Sequence, residues 1–203
     1  MTITLPGKVL REAECKARSG MVAIRAGADG LVRVELDGFV VSMCGGADLH
    51  EGNPIWEEIL RLSAAVAERG GVIVNGGDQG GCMLATARAY PEQTLGVICP
   101  PMSGNPYGPK AVLEDRLTRV GIITKIPTVV IFEGGVGTIE EWGRALKEIK
   151  NSYSDNTGNP PKVFLHNYWR KTFDVLWTSR AIPKRIMDHV HFFVTAGEVM
   201  QAL

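Results

Sequence analysis

The residues best suited to chemistry lie in the sequence EGGVGTIEE at positions 133–141. An apolar run precedes this sequence and apolar residues at helical spacing follow it, so we predict a turn between a strand and a helix. Glycines in such a turn let the backbone approach a ligand closely, and the first N–H groups of a helix lack partners within it. The turn is therefore a candidate phosphate site. The residues that we assign to it are Gly134, Gly135, Val136, Gly137 and Thr138.

The sequence leaves two interpretations of Glu141 open. Thr138 and Glu141 have the T-x-x-E spacing of a capping box, in which the carboxylate would only hold the end of the helix, with the helix starting at Thr138. The other interpretation makes Glu141 a catalytic carboxylate, because it lies one helical turn beyond the glycine turn. Glycine turns elsewhere in the chain favour this second interpretation.

Glycine turns also follow two earlier predicted strands. In an open parallel sheet, ligands bind outside the carboxyl ends of the strands, where all of these turns lie. We therefore expect the three turns to line one crevice. The residues assigned to the two earlier turns are Gly45, Gly46, Gly76, Gly77 and Gly80.

The elements that must position these turns follow from the order of patterns along the chain. From residue 39 onward, short apolar runs alternate with helical patterns, which predicts an α/β domain at residues 39–203. Its core would be a doubly wound parallel sheet with helices on both faces. Residues 1–38 are predicted as a separate N-terminal extension, with a polar helix at residues 8–19 and a β-hairpin that turns at residues 28–30.

A loop, a helix and a turn region are predicted in the second half of the chain. Residues 100–110 are rich in Pro and Gly and are predicted to form a loop without regular structure. A helix is predicted at residues 111–125, and residues 153–161 are predicted as a polar turn region.

Composition excludes several classes of function. Lys plus Arg and Asp plus Glu both number 22, so the chain has no net charge that would recruit nucleic acid or a membrane surface. No apolar run approaches the length of a membrane span and no signal peptide is evident, so we expect a cytoplasmic protein. The four cysteines are widely spaced and are predicted to be reduced thiols. The histidines show no metal-ligand spacing, and we expect neither a metal site nor a cofactor.

Three motifs, in consistent order across roughly residues 39–200, resemble those of one family. EGGVGTIEE resembles the P-G-G-x-G-T-x-x-E motif of the LOG family, the cytokinin riboside 5′-monophosphate phosphoribohydrolases, many of them long labelled lysine decarboxylases. NGGDQGGCM at positions 75–83 looks like the family's G-G-x-x-G-x-M turn, and MCGG at 43–46 resembles its C-G-S segment. Because no lysine stands in a Schiff-base setting, decarboxylation of an amino acid is not expected.

The resemblance implies a fold, a reaction and residue roles. The fold would be Rossmann-like, in a protein that is usually dimeric. The reaction would be cleavage of the N-glycosidic bond of a nucleoside 5′-monophosphate, which releases free base and ribose 5-phosphate. Gly134, Gly135, Gly137 and Thr138 would hold the 5′-phosphate, and Glu141 would be the catalytic carboxylate.

The family also uses an arginine on the helix before this motif. Arg119 is the nearest candidate, with a gap of one residue, and Arg116 is the second. Arg119 would pair with the phosphate or orient Glu141; its alternative role is a surface ion pair with Glu114 or Asp115. Met83 is assigned to the nucleotide site through its match to the G-G-x-x-G-x-M turn.

The chain departs from the family motif at Glu133, where the family has proline. A carboxylate there would weaken phosphate binding by repulsion between like charges unless Arg116 or Arg119 pairs with it. Related members of the superfamily bind nucleotides or the molybdenum cofactor without hydrolysis. Three hypotheses therefore remain: a nucleoside monophosphate N-glycosidase, a binding or carrier protein for a nucleotide or the molybdenum cofactor, and an interaction protein with a vestigial pocket.

Overall fold

The structure is a computed structural model that describes residues 1–155 and 159–203. Its strands are β1 Thr2–Pro6, β2 Val9–Arg11, β3 Ala13–Ala17, β4 Gly20–Ala26, β5 Leu31–Gly38, β6 Val40–Cys44, β7 Val72–Asn75, β8 Thr94–Ile98, β9 Lys110–Leu113, β10 Thr128–Ile131, β11 Lys162–His166 and β12 Val190–Phe193. Its α-helices are α1 Pro54–Glu68, α2 Gly81–Ala89, α3 Arg116–Thr124, α4 Val136–Ser154, α5 Arg170–Thr178 and α6 Ala196–Ala202. No helix of the described residues is long and apolar enough to cross a membrane.

The main sheet has the strand order β12-β11-β10-β6-β7-β8-β9-β2. Its neighbouring strands from β12 to β9 are parallel, and only the edge strand β2 is antiparallel, to β9. Apolar residues of α1, α2 and α6 share a core with one face of the sheet, and those of α3, α4 and α5 share a core with the other. The predicted α/β fold with helices on both faces is confirmed.

The connections reverse direction between two central strands. The chain proceeds from β6 to β7 on one side, whereas it later returns to place β10 on the other side of β6. The helices that follow β6 and β10 then lie on opposite faces of the sheet. Such a reversal opens a crevice at the carboxyl ends of the two strands.

Local sequence explains where α1 begins and ends. The Asn53 side chain accepts a hydrogen bond from the Ile55 N–H at 2.8 Å, and Pro54 occupies the first helical position. After the last turn, Gly70 adopts a φ of +70°, which favours glycine and stops the helix.

The predicted helix at residues 8–19 is wrong. This segment forms β2 and β3, and β3 pairs with β4. Burial alternates from residue to residue along β3, since Cys15 is buried while Glu14 and Lys16 are exposed. The strand is too short for this period of two to be recognised in the sequence. The predicted hairpin is present as β4 and β5, and with β1 it completes a four-stranded antiparallel sheet in the order β1-β5-β4-β3.

The predicted start of a helix at residue 111 is also wrong. Ala111 and Leu113 are buried and alternate with less buried neighbours, so Lys110–Leu113 is the strand β9, parallel to β8. The helix α3 begins five residues later, because the Asp115 side chain caps it by accepting a hydrogen bond from the Thr118 N–H at 2.8 Å. Of the predicted polar turn at residues 153–161, the first residues belong to the end of α4, and residues 156–158 lie outside the described residues.

Candidate functional site

A cavity of about 280 Å³ lies at the carboxyl ends of β6, β7 and β10, where the connections diverge. Both predicted arginines line it, together with Glu141 and residues from all three glycine turns. The predicted site residues that line the cavity are Gly45, Gly46, Met83, Arg116, Arg119, Gly135, Gly137, Thr138 and Glu141. The predicted site residues that do not line it are Gly76, Gly77, Gly80, Gly134 and Val136.

The N-terminus of α4 faces this cavity. Gly135 is the N-cap and Val136 is the first helical residue, so the helix begins earlier than predicted. Thr138 therefore lies inside the first turn, and the capping-box interpretation of Thr138 and Glu141 is wrong. A Cβ atom built on Gly135 or Gly137 would meet nothing within 4 Å, which leaves open space beside the first turn of the helix. The first N–H groups of α4 remain available to an anion.

Other glycines of the three turns serve to pack the turns against one another. A Cβ atom on Gly134 would lie 2.6 Å from the Gly46 nitrogen, and one on Gly80 would lie 2.5 Å from the Ala47 carbonyl oxygen. The Gly46 N–H also donates to the Glu133 carbonyl oxygen at 2.8 Å. These close approaches join the turns after β6, β7 and β10 into one wall.

Arg119 brings a buried positive charge to the cavity. Only 6% of its surface is exposed. Its Nε donates to the Val97 carbonyl oxygen at 2.8 Å and its Nη2 to the Gly76 carbonyl oxygen at 3.1 Å. Within the described residues no carboxylate oxygen lies within 4.0 Å of the guanidinium, so the alternative ion pair with Glu114 or Asp115 is not formed. A buried cation without a close counter-ion suits an anionic ligand.

Gly76 makes room for this arrangement. A Cβ atom at Gly76 would overlap the Arg119 Nη2 and lie 2.6 Å from the Met83 sulfur. The glycine therefore contributes by letting Arg119 reach the carbonyl groups at the ends of β7 and β8, although it does not line the cavity itself.

Arg116 lies at the rim, at the first position of α3. Its Nε donates to Glu140 Oε2 at 2.9 Å and its Nη2 donates to the same oxygen. The side chain is largely exposed. The pair links α3 to α4 across the mouth of the cavity, and water weakens it because it is exposed.

Glu141 is the buried carboxyl group of the cavity, with 9% of its surface exposed. Burial raises its pKa above the ordinary value, whereas Arg119 and the Cys44 thiol act to lower it. Glu140 raises the pKa further and Arg116 lowers it. Burial dominates, so the carboxyl group exchanges its proton closer to neutral pH than an exposed glutamate does.

Glu133 does not line the cavity. It lines a neighbouring groove of about 290 Å³ together with Asn53 and Tyr168. Neither arginine pairs with it, because Arg116 pairs with Glu140 and Arg119 contacts backbone carbonyl groups. The pairing that the sequence required to neutralise Glu133 is thus absent, and Glu133 instead lies in an adjoining groove that shares Gly46, Asp48 and Gly135 with the cavity.

Two buried asparagines that sequence reasoning missed hold the turn after β7. Asn75 Oδ1 accepts a hydrogen bond from the Gly77 N–H at 2.8 Å. The Asn105 Nδ2 donates to the carbonyl oxygens of Gly77 at 3.1 Å and Asp78 at 2.9 Å. Asn105 thereby ties the connection between β8 and β9 to the turn and brings Met102 to the cavity wall. An asparagine next to a glycine is typical of a turn held by the asparagine side chain, and this pattern could have identified both residues in the sequence.

Two acidic residues, Asp48 and Asp78, complete the cavity wall on the side of α1 and α2. Asp78 accepts a hydrogen bond from the Gln79 N–H at 2.8 Å through one carboxylate oxygen. In the part of the chain that the structure describes, no group of three or more His, Cys, Asp or Glu residues could hold a metal ion.

No family model matches the chain, and no curated protein matches it in sequence. Solved structures do match its fold. The molybdenum cofactor binding protein from the phototrophic bacterium Rippkaea orientalis is 17% identical with a TM-score of 0.59, and the match covers 81% of this chain and 94% of that one. The molybdenum cofactor carrier protein from Chlamydomonas reinhardtii is 20% identical with a TM-score of 0.58, over 81% and 94% of the two chains.

A structural-genomics target, TM1055, is 21% identical with a TM-score of 0.57, and the match covers 81% of this chain and 97% of that one. These structures share the α/β fold of this chain, with a mostly parallel sheet flanked by helices. At such identities the likeness shows the fold alone.

Proposed function

We propose that the protein is a cytoplasmic nucleoside 5′-monophosphate phosphoribohydrolase, which hydrolyses the N-glycosidic bond and needs no cofactor. The observation that carries the proposal is that a buried carboxyl group, Glu141, and an unpaired buried guanidinium, Arg119, line the same cavity as the N-terminus of α4. The cavity thus combines an anion site with a group able to act on a sugar.

The anionic end of the substrate would lie at α4. The N–H groups of the first turn point out of the helix where the positive end of its dipole lies, and the space beside Gly135 and Gly137 is open. Arg119 adds a full positive charge, whose two backbone hydrogen bonds fix its direction. A 5′-phosphate there would replace the counter-ion that Arg119 lacks.

The sugar would then lie against Glu141, about one helical turn along α4. Cleavage of the bond between C1′ and the base nitrogen builds positive charge on the ribose. An ionised Glu141 stabilises this charge or accepts a proton from the attacking water. Water adds its oxygen to C1′, and the base leaves with the bonding electrons and gains a proton. Asp78, which also lines the cavity, is a candidate donor of that proton.

The test is release of free base and ribose 5-phosphate from a panel of nucleoside 5′-monophosphates. Wild type should release both products, and Glu141→Gln should be slower by about 10² or more, because amides neither accept the proton nor carry the charge. The matched control is Glu140→Gln, which removes a neighbouring carboxylate whose partner is Arg116. It should lose far less activity. Equal rates for Glu141→Gln and wild type would overturn the proposal.

A second candidate function is favoured by the solved structures of similar fold, which include a molybdenum cofactor binding protein and a molybdenum cofactor carrier protein. A nucleotide or molybdenum cofactor carrier needs the anion site but not the carboxylate. Calorimetry with AMP and with GMP separates the two functions. If the protein is a carrier, wild type should bind a nucleotide without releasing base. The Glu141→Gln variant should bind that nucleotide as tightly as wild type, and the Arg119→Gln variant should bind it at least about tenfold more weakly.

We further propose that the protein is a homo-oligomer, most simply a dimer. Three large apolar side chains, those of Leu117, Val136 and Ile139, are exposed on α3 and α4 beside the mouth of the cavity. Their occupant would be a second copy of the chain, as the resemblance to a usually dimeric family implies. Light scattering should give a dimer mass for wild type and a monomer mass for Ile139→Lys, and a monomeric wild type would contradict this part of the proposal.

A further inference from the structure

The groove that contains Glu133 adjoins the cavity at the carboxyl edge of the main sheet and has a volume of about 290 Å³. It is lined by the turns after β6 and β10 and by the segment after β11, so it continues the crevice by one strand. Gly46, Asp48 and Gly135 line both spaces. Because a Cβ atom on Gly135 would meet nothing within 4 Å, a ligand at the N-terminus of α4 has room to extend into the groove as well as into the cavity.

One wall of the groove is an aromatic side chain. Tyr168 follows β11, and 56% of its surface is exposed. Its ring packs edge-on against Trp169 with 4.9 Å between the ring centroids, and the buried Trp169 Nε1 donates to the Phe132 carbonyl oxygen at 2.8 Å. The Tyr168 N–H donates to His166 Nδ1 at 3.4 Å. These contacts hold Tyr168 beside the turn after β10, where its ring supplies a flat apolar surface for a planar ligand.

The groove also contains a carboxylate and a side-chain amide. Among residues 1–155 and 159–203, no cationic nitrogen lies within 4.0 Å of the Glu133 carboxylate. The Asn53 Oδ1 caps α1 by accepting a hydrogen bond from the Ile55 N–H, which leaves its NH₂ group to act as a donor. The motif that this chain resembles has proline at position 133, so the carboxylate is a feature of this chain. The groove thus offers one acceptor group and one donor group beside an aromatic ring.

We infer that the groove holds the base of the nucleotide and that Glu133 selects guanine, an inference that rests on the proposed nucleotide substrate. A carboxylate only accepts hydrogen bonds, and its two oxygens match two parallel N–H donors. The Watson–Crick edge of guanine carries two such donors, N1–H and the 2-amino group, next to the O6 acceptor. Glu133 would accept from both donors and the Asn53 amide would donate to O6. Adenine instead presents one amino donor beside the lone pair of N1, which the carboxylate repels.

The cavity and the groove together accommodate the parts of one nucleotide. With the phosphate at the first turn of α4 and the ribose against Glu141, the base would enter the groove past Gly46 and Asp48, which line both spaces. The Gly46 N–H donates to the Glu133 carbonyl oxygen at 2.8 Å, so a backbone hydrogen bond fixes this boundary. Stacking on Tyr168 favours every base, because every base has a π-face. Hydrogen bonds to the Glu133 carboxylate are what would discriminate between bases.

The experiment measures the binding of GMP, IMP and AMP by calorimetry in the full chain carrying Glu141→Gln, so that no base is released during the titration. GMP should bind at least about tenfold more tightly than AMP, and than IMP, which lacks the 2-amino group. Adding Glu133→Gln should weaken GMP binding by about tenfold or more. It should leave AMP binding unchanged or tighter, because an amide can donate to N1 and accept from the amino group of adenine. Tyr168→Ala should weaken the binding of all three nucleotides by a similar factor.

Glu57→Gln is the matched control, because Glu57 is an exposed residue in the first turn of α1 that does not line the groove. It removes one negative charge near the groove and should leave the ratio of GMP to AMP affinity unchanged. Equal affinities for GMP and AMP before Glu133 is changed, or the same ratio after Glu133→Gln, would overturn the inference. Absence of base release by wild type sinks only the proposed hydrolase, since a preference for GMP that Glu133→Gln abolishes is measured without turnover.

Discussion

Two residues of opposite charge at the cavity lack an ion-pair partner among the described residues. Arg119 donates to backbone carbonyl groups, and Glu141 is nearly buried with its pKa raised chiefly by burial. Neither charge is neutralised by an ion pair within 4.0 Å among the described residues. Groups of this kind lower stability and are typical of ligand sites, since the ligand supplies the missing interactions.

Glu141→Gln should therefore stabilise the folded protein at neutral pH, by about 1 kcal/mol. Burial raises the pKa of Glu141 in the folded state, so folding favours the protonated carboxyl group. The resulting stabilisation is complete below the ordinary glutamate pKa of 4.5 and is lost as the pH rises through the pKa of the folded state. The gain should shrink in thermal melts at acid pH. Glu140→Gln should give no gain, and a destabilised Glu141→Gln at pH 7 would contradict the assignment.

Gly76→Ala should remove the anion site without changing any residue that lines it. The added methyl group would occupy the space of the Arg119 guanidinium. We expect a loss of at least about tenfold in affinity for a nucleoside monophosphate, measured by calorimetry. The control is Gly143→Ala on the exposed face of α4, where the methyl group meets nothing within 4 Å and should stabilise the helix by about 0.5–1 kcal/mol. Equal affinities for the two variants would refute the role of Gly76.

At the scale of elements, the turn after β7 and the connection between β8 and β9 behave as one unit. Asn105 joins them by bonds to Gly77 and Asp78, and the Gln79 amide donates to the Ser103 hydroxyl at 2.7 Å. Because both segments carry cavity residues, their relative position sets the shape of that wall.

Asn105→Ala should loosen this unit. The change leaves the carbonyl oxygens of Gly77 and Asp78 without their side-chain donor, at a cost of about 1–3 kcal/mol in the free energy of unfolding. Amide hydrogen exchange should become faster in residues 99–109 and 76–81, while α5 and α6 keep their wild-type rates. Uniformly faster exchange across the chain would instead indicate global destabilisation and count against a local role.

At the scale of the whole molecule, the N-terminal sheet covers part of one face of the main sheet. Val22, Ile24, Val32 and Val34 are fully buried in the same core as the apolar residues of β7 and β8. Strands β3 and β4 contact β7 on the face where α3 and α4 pack farther along. The predicted division of the chain into two parts at residue 38 therefore stays a prediction. Because the two parts share one core, we expect each to depend on the other for folding.

A chain that begins at residue 39 should fail to fold cooperatively. Removing the N-terminal sheet exposes the apolar face of β7 and β8 and deletes buried side chains worth about 1.5–3 kcal/mol each, which together approach the whole stability of a domain. Circular dichroism melts of residues 39–203 and of the full chain provide the measurement. A sharp transition for the shorter chain near that of the full chain would show that the N-terminal part is a separate appendage.

Local patterns were sufficient to predict most of the α/β region. The short apolar runs predicted from residue 39 onward include the strands β7 and β11, because buried strands are continuous apolar runs. The three glycine turns were also predicted, and the parallel sheet explains why they meet. The strands β2, β3 and β9 were wrongly predicted as parts of helices. Each is short and carries polar residues, and three to five residues are too few to distinguish the period of a strand from that of a helix.

By itself, the sequence determined the alternation of strands and helices over most of residues 39–203, the three glycine turns, and the candidates Glu141 and Arg119, because these follow from local periodicity and from motifs a few residues long. Only the tertiary structure decided which glycines face the cavity and which pack turns together. It also decided that Arg119 reaches carbonyl groups 22 and 43 residues away and that Asn105 holds the turn after β7. Such contacts depend on how distant segments pack, and packing leaves no periodic signal in the sequence.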